Sequence, residues 1–177
     1  MAIHLPICNF DAKTGILCGK CESKLRSREI SAADVEASRA LIKVAEKAPE
    51  LNKLTLKRAF EAGGNYMLEF DGQDGQVLRS GDSVRSELEG LLKGRVWFTL
   101  AGGTDRRFLE DLLFPVRVLT VNTVWLPDGT RRTKVIVPGR RSERALGDFE
   151  RLRAMAQKAR GIDLVVETER EASYRFG

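Results

Sequence analysis

All three cysteines of this 177-residue chain, Cys8, Cys18 and Cys21, fall in one stretch, ICNFDAKTGILCGKC, at residues 7–21. Thiolates are soft donors suited to a structural metal. A C-x-x-C pair turns both sulfurs toward one point, and a small residue, here Gly19, lets the backbone fold beneath it. The same spacing laid on Cys8 reaches Asp11, so the frame reads C-x2-D-x6-C-x2-C. Three sulfurs are one donor short of a tetrahedral cage. A carboxylate oxygen of Asp11 can complete it. So can His4, the single histidine of the chain, since neutral imidazole is the commoner zinc ligand. Spacing alone leaves the two open, and leaves open a disulfide from Cys8 to Cys18 or Cys21, or buried reduced cysteines. The expectation is a structural Zn2+ held by Cys8, Cys18, Cys21 and either Asp11 or His4. No neighbouring pair of titratable groups equips the stretch for metal catalysis.

The second chemistry on offer is charge. The chain carries a formal +5 and a pI of about 9.3, compatible with a polyanionic partner. The excess is concentrated in residues 131–160. Arg131, Arg132, Lys134, Arg140, Arg141, Arg144, Arg151, Arg153, Lys158 and Arg160 stand there against only Glu143, Asp148 and Glu150. Such a segment can neutralise phosphates with little base specificity of its own. It can equally be a solvated face, Arg144 lying one helical turn before Asp148. Trp97, Trp125, Phe98 and Tyr66 can stack on bases or, lying in expected strands, belong to the core. Catalysis is not expected. His4 is the lone imidazole, no cysteine lies outside the first stretch, and no G-x-x-x-x-G-K-[ST] phosphate loop is present.

The elements that must position these residues follow from periodicity and caps. Ser31 is an N-cap with Asp34 at the capping-box position, and Val35, Leu41, Ile42 and Ala45 recur at helical spacing until Pro49, giving a helix over about 31–48. LTLKRAF and YMLEF read as strands around the glycine turn of EAGGN. DGQDGQVLRSGDSVRSELEGLLKG reads as two short helices about a tight turn, and RVWFTLA as a strand. Thr104 then caps a helix that stops before Pro115. VRVLTVNTVWL and TRRTKVIV flank PDG, a hairpin turn. A helix over about 142–160 follows, carrying Leu146, Phe149, Leu152, Met155 and Ala156 on one face and capped by Gly161. IDLVVETE is the last strand. The order helix, strand, strand, helix, turn, helix, strand of the first unit thus recurs in the second, with one helix missing or shortened.

That order, with a glycine bend at Arg79-Ser80-Gly81-Asp82 and another at Pro138-Gly139-Arg140-Arg141-Ser142, resembles tandem KH domains of the bacterial and archaeal (type II) topology. More particularly, it resembles the archaeal NusA-like KH proteins with an added cysteine segment. The resemblance implies an α/β (α+β) fold of two small KH-like units, 29–103 and a degenerate 104–177, preceded by a zinc-knuckle-like segment at 1–28. In such modules a G-x-x-G loop clamps the sugar-phosphate backbone, and the following helix offers its N-terminal amides. Carried onto this chain, the loop residues are Arg79, Ser80 and Gly81, and in the second unit Gly139, Arg140 and Arg141. Arg131, Arg132, Lys134 and Arg144 flank them. Each bend has only one of the two glycines, and Asp82 sets a carboxylate where a phosphate would lie.

The functional expectation is a non-catalytic RNA-binding protein acting in transcription elongation or termination, or on the ribosome. The alternative is an interaction module that docks on RNA polymerase or the ribosome, with RNA contacts secondary. No run approaches the length of a membrane span, and MAIHLPICNF has neither a basic n-region nor an apolar h-region. The expected setting is therefore soluble and cytoplasmic, with no membrane partner.

Overall fold

A computed structural model describes residues 2–73, 78, 81–139 and 149–169. The chain divides into two compact units, Met1–Gly102 and Gly103–Gly177. Both are mixed α+β, and each is built on a three-stranded sheet.

The first unit opens with two short helices, α1 (Asn9–Thr14) and α2 (Gly19–Arg26). They are joined by a bend at Gly15, whose left-handed φ of 79° ends α1. Helix α3 (Ala32–Ala45) starts at the expected capping box: Ser31 accepts from the Asp34 N–H, and Asp34 reaches back to the Ser31 N–H at 2.7 Å. The other oxygen of Asp34 accepts the Ala59 N–H at 2.6 Å, so one buried carboxylate joins the helix start to the sheet. A 3-10 turn at Pro49–Lys53 leads to β1 (Leu56–Ala62) and β2 (Asn65–Phe70). Next come α4 (Asp82–Leu92) and β3 (Val96–Leu100). Strands β1 and β2 pair antiparallel, β2 and β3 parallel, so the connection through α4 is a helical crossover between neighbouring strands.

The core of this unit does not stop at residue 29. Ile3, Ile7, Ala12 and Cys21 share one cluster with Val35, Leu41, Val44, Leu68, Phe70, Leu88 and Phe98. Helix α3 accordingly buries most of its circumference, because α1, α4 and the sheet all pack against it. The amino-terminal stretch is part of the body of the first unit.

The second unit repeats the order. Helix α5 (Asp105–Leu113) is capped by Thr104, whose side chain accepts the Arg107 N–H at 3.2 Å. Strands β4 (Thr120–Trp125) and β5 (Arg131–Val137) form the hairpin, α6 (Phe149–Arg160) crosses over, and β6 (Asp163–Thr168) closes the sheet. The hairpin loop is Pro127-Asp128-Gly129, closed by Leu126 N–H to Thr130 O at 2.8 Å, with Gly129 at a φ of 84°. This is the three-residue turn that ends in a left-handed position. Again the hairpin pair is antiparallel and the crossover pair parallel. Phe108, Leu109, Leu112, Leu113, Leu152, Met155, Val135, Val137, Leu164 and Val166 are buried. The first of the two helices expected in 71–94, and the start of the helix expected over 142–160, fall mostly outside the described residues.

Candidate functional site

Cys8 and Cys18 each stand at the N-cap of a short helix, with nearly the same extended backbone: φ −61°, ψ 140° and φ −72°, ψ 163°. Asp11 and Cys21 are then the third residues of α1 and α2. An N-cap and the third helical residue lie over the same helix end, which is why the x-x spacing converges two side chains. The two knuckles interlock. The Cys8 N–H donates to Cys21 Sγ at 3.5 Å, and the Cys18 N–H donates to Asp11 Oδ2 at 3.0 Å. In an ordinary capping box the third residue reaches back to its own cap; here each reaches the cap of the other helix.

The result is a four-donor cluster. Ligand atoms of Cys8, Asp11, Cys18 and Cys21 all lie within 4.8 Å of one another. Cys8 Sγ and Cys21 Sγ are 3.6 Å apart, close to the roughly 3.8 Å edge of a tetrahedron with 2.3 Å metal–sulfur bonds and far beyond a disulfide. All three cysteines are free. Three sulfurs and one oxygen around a common centre fit a metal ion, and the N–H bonds to Sγ and to the carboxylate are the outer-shell contacts that orient such ligands.

His4 is not in the cluster. Ile3 and Ile7 are anchored in the core. The His4 backbone pairs with the chain entering β1, its N–H to Leu54 O at 3.1 Å and its carbonyl accepting from Leu56 N–H at 2.9 Å. Alternation along this extended stretch leaves the imidazole exposed. Of the two fourth ligands left open by spacing, the fold brings Asp11 to the sulfurs.

Without metal the cluster holds its own protons in order. The hydrogen bond from the Cys21 thiol, then that from the Cys18 N–H, holds the Asp11 carboxyl below its ordinary range. Burial, followed by the neighbouring Asp11 carboxylate, pushes the Cys21 thiol up to about 12.

The residues expected to meet nucleic acid are less gathered. Gly81 precedes α4, and Asp82 is exposed at its first turn with Arg85 4.0 Å away. Gly139 follows β5. Arg79, Ser80, Arg140, Arg141 and Arg144 lie outside the described residues. Arg132 and Lys134 share one face of the sheet, but Arg131 shares the other with Thr133 and Val135, since side chains alternate along a strand. Each meets an acid: Arg131 Asp105 at 3.9 Å, Arg132 Asp163 at 2.7 Å, Lys134 Glu167 at 2.7 Å. Of the aromatic candidates, Trp97 and Phe98 are buried, Tyr66 is half-buried, and Trp125 is 71% exposed.

Fold and site together define a mixed α+β protein whose first unit carries a Cys/Asp cluster positioned to hold a metal ion. Among the described residues no helix is long and apolar enough to cross a membrane. No protein-family model matches the chain, and no curated protein matches its sequence. Among solved structures it is similar to the one titled "Crystal structure of APE1850", with a TM-score of 0.49 and 14% identity over 71% of this chain and 96% of that one.

Proposed function

We propose that this chain is a non-catalytic RNA-binding protein of two KH-like units, with a Zn2+ clip built into the first. The observation that carries the reading is the repeated topology. In both units a helix precedes an antiparallel hairpin, and a helical crossover returns a third strand parallel to the middle one. This order matches the one expected of type II KH units, and in the first unit a glycine, Gly81, directly precedes the crossover helix. The setting in transcription elongation or termination, or on the ribosome, rests on the resemblance to NusA-like proteins. Zn2+ is the ion suited to three thiolates and a carboxylate in a closed tetrahedral site. Its role there is structural, since Asp11 and Cys21 are buried in the cluster.

The test is binding of a labelled single-stranded RNA of mixed sequence across a salt series. The logarithm of affinity is expected to fall linearly with the logarithm of salt, by about 0.7 for each phosphate contact. The double variant Arg140→Glu, Arg141→Glu is expected to weaken binding and flatten that slope. A second reading has its own support: Arg131, Arg132 and Lys134 spend charge on Asp105, Asp163 and Glu167. If the double variant keeps RNA binding but loses association with polymerase or ribosome, an interaction module is the better account.

A further inference from the structure

The two sheets treat their outer edges differently. Strand β1, the hairpin edge of the first unit, carries Lys57, Arg58 and Glu61 and a register shift between Leu56 and Arg58. Strand β6 carries Asp163 and Glu167, and β3 is short and largely buried. Charges, bulges and shortness are the devices that keep an edge from pairing. Strand β4, the counterpart of β1, carries no charge, and its one irregularity lies at its entry, where Leu119 N–H donates to the carbonyl of Ile136, the partner of Thr120, at 2.9 Å. Its sequence is TVNTVW, without charge or proline, and it pairs regularly with β5 along its whole length. Its residues 122–125 are exposed, Val124 at 45% and Trp125 at 71%.

The ladder shows which peptide groups that edge offers. Leu126 N–H bonds Thr130 O, and bonded pairs alternate along an antiparallel ladder. Val124–Arg132, Asn122–Lys134 and Thr120–Ile136 are therefore the bonded pairs to β5. Val121, Thr123 and Trp125 turn their N–H and C=O groups outward.

We propose that a second copy of this chain pairs with this edge, β4 against β4, antiparallel about a two-fold axis at Thr123. The strand is complementary to itself in that register. Thr123 meets Thr123, and Val121 of each copy lies opposite Trp125 of the other in a bonded pair, so every outward peptide group of the three residues is used. Thr–Thr and aromatic–β-branched pairs are favourable cross-strand neighbours. Moving the register by two residues, to Asn122 opposite Asn122, leaves Trp125 without a counterpart. No like charges meet, because the strand has none and Arg131 and Arg132 behind it are paired with Asp105 and Asp163. The two three-stranded sheets become one continuous sheet.

The test is sedimentation of the full chain, metal-loaded and under reductant, over a concentration series. The wild type is expected to dimerise in the micromolar range, with Trp125 fluorescence shifting to the blue as the dimer fills. Thr123 is exposed, so Thr123→Lys and Thr123→Glu are expected to fold. Each places like charges directly opposite at the axis and weakens the dimer by about tenfold or more, while an equimolar mixture of the two restores it as a heterodimer. A wild type that stays monomeric overturns the proposal, as does a dimer indifferent to Thr123→Lys or a mixture that shows no recovery. A monomer in which Thr123→Lys changes only RNA or peptide binding assigns the edge to that ligand instead, and equally overturns it.

Discussion

Asp11 does at the third position of its helix what Cys21 does at the third position of the next, and the ligand assignment turns on that equivalence. Asp11→Ala is expected to lower metal affinity at least about tenfold, whereas His4→Ala is expected to retain one ion per chain, as measured by metal analysis after dialysis against a weak chelator. The protons add a pH signature. Metal must displace thiol protons, so affinity is expected to rise with pH, by up to about tenfold per pH unit for each proton released. In the metal-free chain the signs differ between the two inner residues. The depressed Asp11 carboxyl contributes stability above its ordinary 3.8, lost as pH falls below it. The raised Cys21 thiol contributes stability below its ordinary 9.0, lost as pH climbs toward about 12. Thermal melts of the chelated protein across pH are expected to fall off on both limbs, and Asp11→Asn to remove this contribution from the acid limb.

At the scale of elements, two glycines of the α4 region should behave oppositely. A Cβ on Gly94 would sit 1.8 Å from the carbonyl oxygen of Gly64 and 2.9 Å from its carbon, both rigid backbone of the β1–β2 turn. Gly94→Ala is therefore expected to cost about 2–4 kcal/mol in denaturant unfolding. Gly90 lies within α4 and meets nothing within 4 Å, so Gly90→Ala is expected to gain about 1 kcal/mol. Asp34 shows how far local reading reaches. Its capping box with Ser31 is legible four residues at a time. Its bond to Ala59, twenty-five residues on, is visible only once β1 lies beside the helix. Asp34→Ala should cost about 2–4 kcal/mol, more than a lost cap, because a buried N–H is stranded too. Helices α1 and α2 went unread because each is shorter than the span over which periodicity shows. Their signal was the cap spacing of Cys8 to Asp11 and Cys18 to Cys21, with Gly15 as the stop.

For the whole molecule, the amino-terminal stretch changes role. As a separate segment at 1–28 it would be dispensable to the first unit, but Ile3, Ile7, Ala12 and Cys21 belong to that unit's core. Deleting residues 2–28 is expected to abolish cooperative unfolding of the first unit, and chelation to lower its melting temperature, both measurable by calorimetry. The candidate metal cluster and the core share Cys21.

The sequence by itself determined the order of the longer helices and the strands from Ser31 onward, the caps at Ser31 and Thr104, the PDG hairpin and the cysteine frame. These depend on residues a few positions apart, where periodicity and capping chemistry act. It could not choose between Asp11 and His4, pair Arg132 with Asp163 or Lys134 with Glu167, or place Arg131 on the opposite face. It also could not tell that β4 leaves residues 122–125 exposed along an uncharged edge. Those outcomes depend on which distant backbones lie side by side: Ile3 and Ile7 anchored in a shared core turn His4 away, and strand register decides which charge faces which. Only the tertiary structure supplies those distances.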